Sequence, residues 1–302
     1  MDAQVHYTAC PVCGGNGFQP IFSVHDHTVS QEDFLILGCT ECGHRFTQDV
    51  PGPDHIGAYY KAESYISHTN SSKGVINRMY KIVRGYTIGS KRRWIEKCTG
   101  RKTGAILDIG AGTGFFIAEM KSKGWEVTGL EPDAEAREVA LQTNGLKLEE
   151  LDTLYQLTPG MYDVITLWHV LEHVHDLEGY VKRFGELLKP DGRLLIAVPN
   201  HTSHDALKYG KDWAAYDVPR HLHHFSPGSI KHLFEKRGFA LQEMRPMYFD
   251  AFYVSLLSSK YKSGKTAWVS AFFTAFVSNV KAILHREKCS SITYIFKRKA
   301  NS

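Results

Sequence analysis

The sequence has no run of eighteen consecutive apolar residues, so no membrane-spanning helix is expected. Its first residues, Met1-Asp2-Ala3-Gln4, have neither a basic segment nor an apolar core. No leader peptide is therefore expected, and the chain reads as cytoplasmic. There is little excess charge of either sign: 36 basic residues stand against 32 acidic ones, a net +4. That balance is too even for a nucleic-acid-binding surface, so no nucleic-acid partner is expected. Cysteine is scarce, with six residues, four of which fall as two C-x-x-C pairs. In a cytosolic chain that spacing speaks for metal and against a disulfide framework. The remaining composition, 43% hydrophobic and 23% charged, is that of an ordinary globular protein, and 302 residues suffice for one sizeable domain plus a small one.

What the sequence does have is a stretch at Leu107–Phe116, LDIGAGTGFF. A β-rich run, Ala105-Ile106-Leu107, ends in Asp108, and Gly110, Gly112 and Gly114 follow at every second position. The pattern then turns helical, with Phe116, Ile117 and Met120 on one side. A strand, a glycine turn and a helix N-terminus let the backbone approach a ligand where no Cβ intervenes. A second acid, Glu131, ends the next β-like run, Glu126 to Leu130, where it could accept hydrogen bonds from ribose hydroxyls. A dinucleotide fingerprint would read G-x-G-x-x-G, whereas the spacing here is G-x-G-x-G.

From Gly104 onward strands and helices alternate. Strands are expected near 105–109, 126–131, 146–149, 162–168, 192–198, 239–245 and 290–297, and helices near 114–122, 133–143, 177–188 and 229–237. This predicts an α/β fold, a Rossmann-like doubly wound seven-stranded sheet that binds its ligand beyond the carboxyl ends of the strands. Pro190-Asp191-Gly192 reads as a turn between a helix and the fifth of these strands.

The first fifty residues carry Cys10-Pro11-Val12-Cys13-Gly14 and Cys39-Thr40-Glu41-Cys42-Gly43. Each is a knuckle, two thiolates followed by a glycine that permits the turn. Four thiolates, Cys10, Cys13, Cys39 and Cys42, suit a closed tetrahedral structural zinc site. Metal binding would supply much of the folding free energy of so short a segment. Pro51-Gly52-Pro53 marks a linker, and Val75 to Cys98 has helical spacing at Ile76, Met79, Ile82 and Val83. The expected organisation is a zinc-ribbon module at 1–50, a linker and helical cofactor lid at 51–100, and a cofactor-binding domain at 101–302. A helical insertion is expected near 250–288, where Trp268, Phe272, Phe273, Phe276 and Ile283 recur at helical spacing opposite Ser270, Thr274 and Ser278. It is either packed on the domain or a contact for a membrane surface or a second copy.

The glycine turn and its flanking acid resemble motif I of class I S-adenosylmethionine-dependent methyltransferases. Two further stretches are similar to that class: Val170-Leu171-Glu172-His173-Val174 after the fourth strand, and Leu187-Leu188-Lys189-Pro190-Asp191-Gly192 before the fifth. With the cysteines in front, the chain resembles sugar C-methyltransferases and related small-molecule methyltransferases. The resemblance implies S-adenosylmethionine as cofactor and a small-molecule methyl acceptor, such as a sugar or lipid-linked intermediate. It implies in-line transfer with a neutral thioether as leaving group. By the same resemblance Asp108 would face the methionine ammonium, and Gly110, Ala111, Gly112 and Gly114 would line the cofactor. Glu131 would hold the ribose, Asp152 the adenine, and His169 would lie beside the methyl donor. Tyr59, Tyr60 or Tyr65 would cover the ligand. A non-catalytic binding module built on the same fold is the competing reading.

His169 to His173 spells H-x-x-E-H, a zinc-protease signature, but His169 ends a strand, and that motif needs one helix. Pro199 to Phe225 gathers Trp213, Tyr216, Asp217, Arg220, His221, His223 and His224. Aromatic and titratable groups together are costly to bury, so this stretch is expected to form the acceptor pocket. Candidates for acceptor chemistry are His169, His223, His224 and Tyr216, the histidines because they titrate near neutrality.

Overall fold

The computed structural model describes residues 4–60 and 75–299, and the side chains among them apart from 75–82. Tyr65 and the side chains of Ile76, Met79 and Ile82 lie outside the described residues. Five strands come first: β1 (Gln4–Val5), β2 (Phe18–His25), β3 (Asp33–Cys39), β4 (Arg45–Thr47) and β5 (Val50–Pro51). Helix α1 (Val75–Thr99) leads into β6 (Ala105–Ile109), α2 (Phe115–Ser122), β7 (Glu126–Leu130), α3 (Ala134–Asn144) and β8 (Tyr162–Trp168). Then come α4 (Leu177–Leu187), β9 (Leu188–Pro199), α5 (His204–Tyr209), β10 (His223–His224), α6 (Pro227–Glu235) and β11 (Phe239–Pro246). Helices α7 (Asp250–Ser263) and α8 (Trp268–Leu284) precede the last strand, β12 (Ser291–Arg298).

The chain divides into two compact units. One comprises Tyr65–Trp168, Lys182–Leu195 and Ile295–Ser302; the other comprises Met1–Ser64, His169–Val181 and Ile196–Tyr294. In the first, β6 pairs in parallel with β7 on one side and β8 on the other. Residues 162–167 of β8 are all buried, as a central parallel strand covered on both faces requires. Ile106, Ile117, Met120, Trp125, Leu148 and Val164 form its core. Removing each such side chain from water contributes about 1.5–3 kcal/mol.

Among the described residues the main sheet runs β11-β12-β9-β8-β6-β7, six strands where seven were expected. The expected strand at 146–149 is the missing one. It meets β7 at a single bridge, Leu130 with Glu149, closed by Glu149 N–H to Gly129 O and Glu131 N–H to Glu149 O at 2.9 Å each. Leu146 and Leu148 turn into the core, and contact with the edge strand ends there. The turn expected at Pro190-Asp191-Gly192 is also absent, because β9 is extended from Leu188 onward.

In the second unit the sheet runs β10-β4-β3-β2, its pairs antiparallel. Phe34 and Ile36 on β3 are buried while Asp33 and Leu35 are exposed, the alternation of a strand with one solvated face. Val24, Phe34 and Ile36 pack with Trp213, Tyr216 and Val218. The pairing of β4 with β10, Phe46 opposite His223 and Arg45 opposite His224, brings the cysteine segment and the histidine-rich segment into one sheet.

Helix α8 buries its small and hydroxylic face and exposes its aromatic one. Ala271, Thr274, Ala275, Ser278 and Ala282 are buried, while Trp268, Phe272, Phe273, Phe276 and Ile283 are all more than half exposed. The inward face is small and hydroxylic because Ser278 donates to the buried Asp205 carboxylate at 2.7 Å and Thr274 accepts from Lys208 at 2.8 Å.

Candidate active site and metal centre

The glycine turn takes the left-handed backbone its residues permit, with φ of 71°, 54° and 77° at Gly110, Gly112 and Gly114. Its amides are used within the protein. Gly110 and Ala111 donate to Leu130 O at 2.8 and 2.9 Å, and Gly112 donates to Glu131 Oε2 at 2.7 Å. Glu131 also accepts from Asp133 N–H at 3.0 Å, so its carboxylate faces the turn. A Cβ added to Gly112 would meet no atom of the described residues within 4 Å, so among them open space lies beside the turn at that residue. A Cβ at Gly114 would sit 3.2 Å from the Ala140 methyl, so the third glycine lets α2 pack against α3.

Asp108 is buried and accepts from the Thr166 hydroxyl at 2.5 Å. Burial pushes its carboxyl up to about 7, against the Thr166 hydrogen bond and the positive charge of Lys91, while Glu131 adds to the rise. Lys91 Nζ lies 4.1 Å from the Trp168 ring centroid. Thr166, Lys91 and Trp168 escaped the sequence reading. Thr166 lies opposite Asp108 in the ladder, a register that motif spacing does not reveal. Asp152 is exposed on a short 3₁₀ turn, Leu151–Tyr155.

In the other unit, His169 has φ 59°, a left-handed conformation uncommon for a residue with a Cβ and costing about 1 kcal/mol or more. Its Nε2 is 3.0 Å from Asp250 Oδ2, and its Nδ1 is 3.4 Å from Glu172 Oε1. Burial works against charge on the ring, but the Asp250 and Glu172 carboxylates outweigh it and raise His169 to about 10. At neutral pH His169 is an imidazolium. Asp250, at the start of α7, was not foreseen; it is eighty-one residues away and carries no motif.

The remaining histidines of the expected acceptor segment are enclosed. His223 is 1% exposed; its Nε2 donates to Val174 O at 2.8 Å, and its Nδ1 faces His44 Nε2 at 3.4 Å. Burial lowers it to about 3. His224 is 3% exposed. Thr47 gives its proton to His221 O, so His224 Nε2 donates to the Thr47 oxygen at 3.0 Å. Burial drives His224 well below the usual histidine range. Tyr216 is 1% exposed and accepts from Arg45 at 3.0 Å. Arg220 is fully buried, paired through two nitrogens with Asp217 and bonded to Thr28 Oγ1 and Tyr59 O.

The four cysteines converge. Their sulfurs all lie within 4.8 Å of one another, with Cys10 to Cys42 at 3.6 Å and Cys13 to Cys39 at 3.5 Å. A zinc tetrahedron with bonds of about 2.3 Å has sulfurs about 3.8 Å apart, so this donor set fits. Gly14 and Gly43 both have positive φ and donate to the carbonyls of Cys10 and Cys39, closing each knuckle.

Parallel strands β7, β6 and β8 with a side-chain-free bend after one strand and an acid after its neighbour make the nucleotide-type cofactor cradle of Rossmann-like enzymes. Residues 83–244, just over half of the chain, match the family described as a methyltransferase domain. The ubiquinone biosynthesis O-methyltransferase of Acinetobacter baumannii (strain AYE) is 28% identical over 172 residues, 52% of this chain and 73% of that protein. That of Aeromonas salmonicida is 29% identical over 192 residues, covering 59% and 78%. The fold is shared with Burkholderia thailandensis 1,6-didemethyltoxoflavin-N1-methyltransferase, solved with S-adenosylhomocysteine, at a TM-score of 0.50 and 15% identity over 86% of this chain and 97% of that one. The chain belongs to the methyltransferase-domain family and is an S-adenosylmethionine-dependent methyltransferase.

Proposed function

We propose that this enzyme methylates a small-molecule acceptor by in-line displacement, that Asp108, Gly110, Ala111, Gly112 and Glu131 hold the cofactor, and that the four cysteines hold a structural zinc. The observation that carries the cofactor assignment is Glu131 aimed at Gly112 beside open space. When bound, the cofactor supplies a methyl group on a sulfonium whose departure leaves a neutral thioether. The protein's part is alignment, worth roughly 7–11 kcal/mol at best. Asp152, exposed beyond β7, is proposed to reach the adenine amine.

The relatives are named for O-methylation in ubiquinone biosynthesis, which makes a phenolic hydroxyl the first acceptor to test, followed by nucleotide sugars and lipid-linked sugars. Of the four side chains expected to do acceptor chemistry, we retain His169 as the acceptor contact. Its charge state makes it a hydrogen-bond donor in the resting enzyme; base work would require it to pass a proton to its carboxylate partners. His223, His224 and Tyr216 are proposed to be structural, because they are enclosed and His223, His224 Nε2 and the Tyr216 oxygen are already bonded within the protein.

Calorimetry with the donor, followed by donor depletion across the acceptor panel, tests this reading. No heat with S-adenosylmethionine from zinc-loaded protein would favour the binding module instead. The exposed aromatic face of α8, preceded by Lys260, Lys262 and Lys265, is proposed to rest on an anionic membrane surface. Co-sedimentation with phosphatidylserine vesicles should fall on Phe272→Ser with Phe276→Ser; a change in oligomeric state without vesicle binding would assign the face to a second copy.

A further inference from the structure

Glu172 and His173 lie on the 3₁₀ turn Leu171–His173 that follows β8, and His221 lies two residues before β10. The segments are fixed to each other by Leu222 N–H to Glu172 O at 2.8 Å and by His173 Nδ1 to Arg220 O at 2.9 Å. One ligand-capable atom from each of Glu172, His173 and His221 lies within 4.8 Å of the other two. The two rings stand edge to face with centroids 4.6 Å apart.

The hydrogen bonds around this cluster settle which atoms are spare. His173 Nδ1 lies 2.9 Å from the Arg220 carbonyl and 3.0 Å from the Tyr60 hydroxyl oxygen, which accepts alongside the carbonyl, and His221 Nδ1 faces the Ala215 carbonyl at 2.8 Å. A carbonyl can only accept, so both Nδ1 atoms carry the proton and both Nε2 atoms keep a lone pair when the rings are neutral. That is the tautomer of a metal-binding histidine, whose other nitrogen is typically held by a backbone carbonyl. Glu172 is fully buried, and among the described residues neither of its carboxylate oxygens has a hydrogen-bond partner. The His169 imidazolium stands 3.4 Å from one of them, a counter-charge outside hydrogen-bond geometry. An enclosed carboxylate with no hydrogen-bond donor is costly even beside one counter-charge, and a coordinated cation lowers that cost.

We propose that Glu172, His173 and His221 form a second metal site, for a divalent first-row transition ion such as zinc or iron(II), separate from the four-cysteine cluster. Two imidazoles and one carboxylate suit such an ion and do not suit magnesium or calcium, which take oxygen ligands. Bonds of about 2.1 Å place ligand atoms about 3–3.5 Å apart, within reach of small side-chain rotations. Asp217 stands 3.8 Å from His221 Nε2, but both of its oxygens are bound by Arg220. The ion therefore keeps a coordination position for water or for an oxygen of a small ligand. The sequence reading set the H-x-x-E-H motif aside because His169 ends a strand. The structure recruits its Glu172 and His173 with His221 as the third ligand.

The test is metal stoichiometry on the full-length protein. After equilibration with excess Zn²⁺ and desalting, elemental analysis should find two ions per chain in wild type and one in Glu172→Gln, His173→Gln and His221→Gln. Titration of the one-zinc protein with Zn²⁺, and with Fe²⁺ under anaerobic conditions, should show a second binding event weakened roughly a hundredfold or more in these variants. Circular dichroism identifies any variant that fails to fold, and the wild-type count stands without the variants. A wild type that holds one ion under all these conditions overturns the site. So does a second ion retained undiminished by the three folded variants.

Discussion

The glycine turn and the histidine-rich segment both bury titratable side chains, yet they hold them differently. Around the turn, Asp108 and Glu131 accept one and two hydrogen bonds and keep further lone pairs beside a backbone with open space at Gly112. Around β10, His223, His224, Tyr216 and Arg220 are hydrogen-bonded and covered. Burial of polar groups is therefore a poor indicator of a site. Unspent hydrogen-bonding capacity is the better one, and it singles out Glu131 in one region and Glu172 in the other.

The largest effect should come from filling the turn. Gly112→Val forces a β-branched residue to φ 54° and puts methyls where the cofactor must approach. Donor binding by calorimetry should fall more than about a hundredfold with zinc content unchanged, whereas Glu131→Gln should cost roughly 10–100-fold, one charge-assisted hydrogen bond. If Gly112→Val binds normally, the open space is not the cofactor's. Next is metal removal. A strong chelator, or Cys39→Ser, should lower stability by on the order of 5 kcal/mol, seen as a large drop in melting temperature. An unchanged melt would mean that the sheet, not an ion, holds the cysteines.

The two regions of imidazole also set opposite pH limbs. His223 falls to about 3 in the folded chain from an ordinary 6.5, so the unfolded state binds more protons as pH drops below 6.5. Stability should decline from there toward pH 3 by a few kcal/mol, and His223→Gln should flatten that limb. His169 is raised to about 10, so its contribution is complete below 6.5 and lost as pH climbs through 10. Because a third of its side chain is exposed, the loss should be about 2 kcal/mol, removed by His169→Asn. Melts across pH 3–10.5 check both. The smallest effect belongs to Asp152→Asn, one exposed hydrogen bond worth about 1 kcal/mol, or roughly fivefold in donor affinity.

The proposed cofactor cradle was legible as a local shape because it is contiguous: strand, glycines and helix follow one another, and Glu131 follows the adjacent strand in the same register. The knuckles were legible for the same reason. Pairings between distant segments were not. Nothing local to Asp250 announces His169, and nothing in Thr47 announces His224. The alternation Leu146-Lys147-Leu148-Glu149 has enough β character to suggest a strand, but strand status depends on a partner's length. In α8 the periodicity was legible and the side was left open. Helical spacing tells which residues share a face, and the inward turn follows from distant partners, Asp205 for Ser278 and Lys208 for Thr274.

The ladder between β4 and β10 carries a practical corollary. A fragment beginning downstream of the cysteines would leave the edge at His223–His224 bare, with backbone amides and carbonyls seeking a stranger's strand. His224 would also lose the hydroxyl of Thr47 that holds its ring in place. Anyone trimming this enzyme to a minimal catalytic core should expect inclusion bodies unless the first fifty residues, or a substitute strand, travel with it.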